Sequence, residues 1–89
     1  MPVISIFYGM VIMMFYMDNK EHKLPHIHVR YQGEKSVFEI PSGRLLVGKI
    51  PSNKRKLVEA WIEIHQTELM KDWELSVSGT KPNKIKPLI

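Results

Sequence analysis

No cysteine occurs among the 89 residues. Disulfides, thiolate nucleophiles and cysteine-ligated metal centres are therefore excluded as means of holding or equipping this chain. Glycine is sparse, at five residues, and none lies in a phosphate-cradling glycine-rich loop. Ser36, Ser42, Ser76 and Ser78 lack the strand–turn–helix context of a nucleophile elbow. No Cys-x-x-Cys or His-Glu-x-x-His spacing occurs, which removes the commonest zinc signatures. Beyond Glu74 there is no acidic residue, while Lys81, Lys84 and Lys86 lie there. No hydrophobic run is long enough for a transmembrane helix, which needs about 20 residues. The stretch from Val3 to Met17 comes nearest, and Gly9 interrupts it. No basic segment precedes that stretch and no small-residue cleavage site follows it, so a signal peptide is not expected. The expectation is a soluble, cytoplasmic protein with no membrane partner.

A hydrophobic content of 44% and a charged content of 25% are those of an ordinary globular protein. The length suits one domain, and a chain this small buries only ~60–65% of its unfolded surface. Thirteen basic against nine acidic residues give a formal charge of +4, which favours acidic partners such as RNA, DNA or an acidic protein.

Val3–Tyr8 and Met10–Met17 read as two strands meeting at Gly9, too continuously apolar for a sheet with one wet face. Their apolar excess predicts self-association or burial against a partner. Asp18–Leu24 reads as a loop, and Pro25 biases Leu24 toward extended geometry. His26–Tyr31 is the third strand, Lys35–Ile40 the fourth and Arg44–Val47 the fifth, separated by turns at Gln32-Gly33-Glu34 and Pro41-Ser42-Gly43. Short connections make antiparallel neighbours. Ser52 or Asn53 is the expected cap of a helix. Its apolar stripe is Leu57, Val58, Trp61, Ile62, His65, Leu69 and Trp73, and Gly79 ends it. A helix of that length invites a bend near Gln66-Thr67. The predicted fold class is α+β: an antiparallel sheet of about five strands packed against a long, bent C-terminal helix, with residues 1–79 as the domain and 80–89 as a basic tail.

The chemistry-bearing segment is His22-Lys23-Leu24-Pro25-His26-Ile27-His28. Strand alternation puts His26, His28 and Arg30 on one face and Ile27, Val29 and Tyr31 on the other. The apolar set should face the core, leaving the imidazoles toward solvent or a cleft. Imidazole suits both proton transfer and metal ligation near neutral pH. Metal-independent RNA cleavage needs a base, an acid and cations for the charged transition state. His26 and His28 would be base and acid, and Arg30 the phosphate clamp. Lys20, Lys23, Lys35, Lys54 and Arg55 would guide the nucleic acid. This reading needs no cofactor. The alternative is a divalent metal such as zinc held by His22, His26 and His28, with Asp18 available as an oxygen donor. The plainest account leaves these histidines as half-exposed strand residues with no task. His65 on the helix stripe is expected to be a hydrogen-bonded histidine at the core edge. Lys54, Arg55 and Lys56 sit where a helix dipole favours acids, which hints at a ligand.

The chain resembles the small bacterial proteins catalogued as domain of unknown function 4160. The resemblance runs from Pro2-Val3-Ile4, Phe7 and Gly9 through Met14-Phe15-Tyr16 to the histidine segment, then Tyr31, Gly33 and Glu34. It continues at Gly43, Gly48, Pro51, Trp61, Ile64-His65, Glu68-Leu69 and Trp73-Glu74. The family usually carries two prolines before the paired histidines, and here Leu24 stands in for the first. The resemblance implies a cytoplasmic bacterial protein encoded beside another short reading frame, as in a toxin–antitoxin module, and matches its histidine segment to His22, His26 and His28. The expected function is a component of such a module that binds RNA and, in the stronger form, cleaves it. The alternatives are a non-catalytic module that pairs with a cognate protein and a histidine-ligated metal protein. A small cognate partner and a homo-oligomer are expected.

Overall fold

The computed structural model describes residues 2–15 and 24–88. Five strands, β1 (Val3–Phe7), β2 (Met10–Met13), β3 (His26–Tyr31), β4 (Glu34–Glu39) and β5 (Leu45–Gly48), precede two helices, α1 (Ser52–Ile64) and α2 (Gln66–Val77). The strands form one sheet in chain order, each antiparallel to the next. The predicted α+β class and strand count hold, and the third strand occupies the expected residues. The second strand stops at Met13 rather than Met17. Met14 instead donates its N–H to the Pro2 carbonyl at 3.1 Å, and residues 16–17 lie outside the described residues.

Two hairpins close with turns whose two central residues both have positive φ: Tyr8 and Gly9, at 50° and 76°, and Gln32 and Gly33, at 49° and 80°. That turn matches the right-handed twist of the flanking strands. Gly48 has a different task. A Cβ there would sit 2.2 Å from the Lys35 carbonyl oxygen, so only glycine lets β5 lie against β4 at this point.

The long helix expected to bend near Gln66-Thr67 is two helices that meet one residue earlier. His65, at φ −111° and ψ 28°, ends α1 and starts α2. Its ring Nδ1 pairs with the Glu68 carboxylate, as befits a histidine at the core edge. The break re-aims the stripe, so that Val58, Trp61 and Ile62 of α1 and Leu69 and Trp73 of α2 all enter one core. Neither Ser52 nor Asn53 caps α1. Pro51 is the cap, and its carbonyl accepts the Lys54 and Arg55 N–H groups. The Asn53 side chain instead accepts from the Lys54 N–H at 3.0 Å.

The core takes Ile4, Phe7, Met10 and Ile12 from β1 and β2, Ile27 and Val29 from β3, and Phe38 from β4. A register shift between Val3 and Ser5 explains why adjacent Ile4 and Ser5 are both buried. The segment after α2 is extended and docked. Asn83 donates its N–H to Asp72 Oδ1 at 3.0 Å, Ile85 its N–H to the Ile4 carbonyl at 2.8 Å, and Trp61 its Nε1–H to the Lys86 carbonyl at 2.9 Å. Ile85 is buried, while Lys81, Lys84 and Lys86 stay exposed. Among the described residues no helix is long and apolar enough to cross a membrane.

Candidate nucleic-acid interface

Strand pairing arranges the second sheet face in two rows. One reads Ile6, Val11, Arg30, Lys35 across four strands, and the other Met13, His28, Val37, Val47. None of these eight side chains belongs to the core cluster that the helices enter. This is the face on which sequence alternation placed His28 and Arg30.

Arg30 and Lys35 are direct cross-strand partners and both are exposed. Among the described residues neither makes an ion pair. His28 is half-buried, its ring edge-on to Phe15 with centroids 4.4 Å apart. Met13, Phe15, His28, Val29, Arg30 and Lys35 line a cavity of about 310 Å³. Thus residues bearing an imidazole, a guanidinium and an ammonium line one opening beside an aromatic ring.

His26 lies elsewhere. Its ring is adjacent to that of His28, at 5.2 Å between centroids, but it is 0% exposed. Trp73 of α2 packs on it at 4.9 Å. Nδ1 donates to the Leu24 carbonyl at 2.7 Å, because a carbonyl oxygen only accepts. The expectation that both imidazoles look toward solvent or a cleft is therefore met by His28, which lines the cavity, and not by His26. The reason is tertiary: α2, beyond the His65 break, brings an indole over the start of β3.

The helix-start cations separate from this patch. Lys54 lies on the helix-bearing side of the sheet at the Tyr31 end of β3, its Nζ 5.6 Å from the Tyr8 ring centroid and 5.8 Å from that of Tyr31. Arg55 is engaged with Glu59 one turn on, at 3.1 Å. His22, Lys20 and Lys23, together with Asp18, lie outside the described residues. The three-histidine metal reading rests partly on them. Among the described residues no three His, Cys, Asp or Glu groups are placed to hold a metal ion.

Sequence reasoning missed Phe15 and Tyr8, and it placed Trp73 on the core stripe without its contact to His26. Phe15 was within reach, since the period-two pattern Val11, Met13, Phe15 puts it on the His28 face. No sequence signal connects Trp73 with His26.

Away from this face, Asp72 is 2% exposed. Burial raises its carboxyl above the ordinary aspartate value, and the Asn83 N–H bond only partly opposes this. Its Oδ2 has no hydrogen-bond partner among the described residues.

An antiparallel meander with two helices on one face and a basic, imidazole-bearing patch on the other defines a small α+β domain. The chain belongs to the family described as Domain of unknown function (DUF4160), whose family model matches residues 9–74. That span holds β2 through most of α2, and so the whole patch except Ile6. No curated protein and no solved structure matches the chain.

Proposed function

We propose that this protein binds RNA on the outer sheet face and is the RNA-binding member of a two-protein, toxin–antitoxin-type module. The observation that carries the reading is the Arg30–Lys35 pair. Like charges directly opposite on one sheet face repel, and here no acid among the described residues offsets them. A phosphodiester placed between them removes that repulsion, with Arg30 suited to bidentate contact and Lys35 to a point contact. His28 adds a donor when protonated. The two-gene arrangement implied by the family resemblance supplies the cognate protein.

Binding is better supported than two-histidine cleavage. A base and an acid must both touch the reacting groups, and His26 is sealed beneath Trp73. Of the two imidazoles only His28 lines the cavity. Any cleavage then uses His28 as the proton carrier, and H28A abolishes it.

The test is fluorescence anisotropy of a labelled 12-nucleotide RNA across a salt series. Removing two phosphate contacts in R30Q/K35Q should lower the slope of log K against log salt by about 1.4, at about 0.7 per contact for a single strand. An unchanged slope and affinity end the reading.

A second reading has its own observation. Ile6 is 59% exposed and Val47 50% exposed on this same face, which suits a cognate protein presenting an apolar surface rimmed by acids. I6D would then abolish co-purification of the pair, whereas R30Q/K35Q would slow association and steepen nothing else.

A further inference from the structure

We propose that Tyr8 is a base-stacking platform, which makes the ligand of this face single-stranded RNA. The proposal rests on the RNA reading above and adds the strandedness of the ligand.

Tyr8 is the first central residue of the β1–β2 turn, at φ 50°. Such turns favour asparagine, aspartate or glycine at that position. A bulky residue with positive φ is a conformational outlier. The second such turn places Gln32 at the equivalent point, so this fold does not require an aromatic there. Yet a large ring is kept at the tip, and it is 45% exposed.

Its surroundings match what an unpaired nucleotide needs. The Nζ of Lys54 lies within 6 Å of both the Tyr8 and Tyr31 rings, and Lys54 makes no ion pair among the described residues. Gly9 leaves room against the Tyr31 ring, where an added Cβ would stand at 3.5 Å. Along the ladder, Arg30 pairs with Val11, Phe7 pairs with Met10, and the turn follows at once. The aromatic tip therefore lies at the same end of the sheet as that row, with its ring on the helix-bearing side beside Tyr31 and Lys54, so a strand bound along Arg30 and Lys35 reaches Tyr8 by passing over the β1–β2 turn. Ring faces beside free cations are how single strands are held: bases stack while the backbone is neutralised. A duplex hides its base faces, so an exposed ring discriminates against it.

The experiment compares wild type, Y8N and Y8W against a 12-nucleotide oligouridine and a 12-base-pair RNA duplex at one salt concentration, with Tm recorded for each protein. Asparagine suits the left-handed backbone, so Y8N should keep or raise Tm. It should also lose about 5- to 160-fold in affinity for the oligouridine, the range for one stacked base. Y8W should restore the affinity, and its added indole emission should be quenched by RNA. Wild type should favour the single strand. Unchanged oligouridine affinity in Y8N, or equal affinity of wild type for both RNAs, overturns the stacking role and leaves the Arg30–Lys35 reading standing. A lower Tm with intact affinity assigns Tyr8 to its Lys54 contact and also overturns it. Failure of wild type to bind either RNA removes both readings.

Discussion

Replacing His26 with alanine should damage the fold far more than the same change at His28, although the two residues are alternate members of one strand. His26 is fully buried, with Trp73 against its ring at 4.9 Å and the Leu24 carbonyl taking its Nδ1–H at 2.7 Å. Truncating a buried side chain of this size costs about 2–5 kcal/mol. Leu24 is itself exposed, so its carbonyl can find water and adds little. We expect a loss of about 3 kcal/mol. A domain of this length has a total stability of about 4–13 kcal/mol, and each kcal/mol moves Tm by about 4–8 °C. H26A should therefore melt roughly 12–24 °C below wild type, with altered Trp73 fluorescence in the folded state. H28A removes a half-buried ring and should cost about 1 kcal/mol. H26F keeps an aromatic against Trp73 and should recover most of the loss. Urea and thermal unfolding followed by circular dichroism measure all three. A loss below about 1 kcal/mol in H26A would show that the indole does not hold the imidazole as described. The consequence for function is practical: a double alanine variant mixes chemistry with packing, because one half of it removes the ring that Trp73 covers beside His28.

Gly48→Ala should destabilise by about 2–5 kcal/mol, combining positive-φ strain with overlap on the Lys35 carbonyl. Hydrogen exchange should show β5 opening first, and a change below ~1 kcal/mol would contradict the contact. Asp72 binds its proton more tightly folded than unfolded, so its contribution falls as pH rises from 3.8 through the raised folded value, then levels. D72N keeps an acceptor for the Asn83 N–H but cannot ionise, so its stability relative to wild type should rise across that window in urea titrations. A constant difference from acid to neutral pH would refute the burial argument.

Much of this fold is legible in local pattern. Period-two alternation defines β3 to the residue and sorts Ile27 and Val29 from His28 and Arg30. Paired positive-φ positions at Gly9 and Gly33 mark the hairpins, and short turns impose antiparallel order. The stripe from Leu57 to Trp73 names the helical core residues, because a helix must bury one side.

What local pattern could not supply was the pairing of distant segments. The break at His65 aims α2 so that Trp73 covers His26, and that contact divides two histidines which strand geometry alone treats as equal. Cross-strand register sets Arg30 against Lys35, and the close approach of β4 reserves position 48 for glycine. The terminal segment reads in sequence as an extended basic tail, and only the tertiary structure shows that Asp72, Ile4 and Trp61 hold its backbone. Sequence by itself determined the kind and order of the elements and the two faces of β3, since those follow from dihedral preference and period. Only tertiary structure decided which imidazole meets solvent and which cations stand together, since burial and repulsion depend on what the rest of the chain brings alongside.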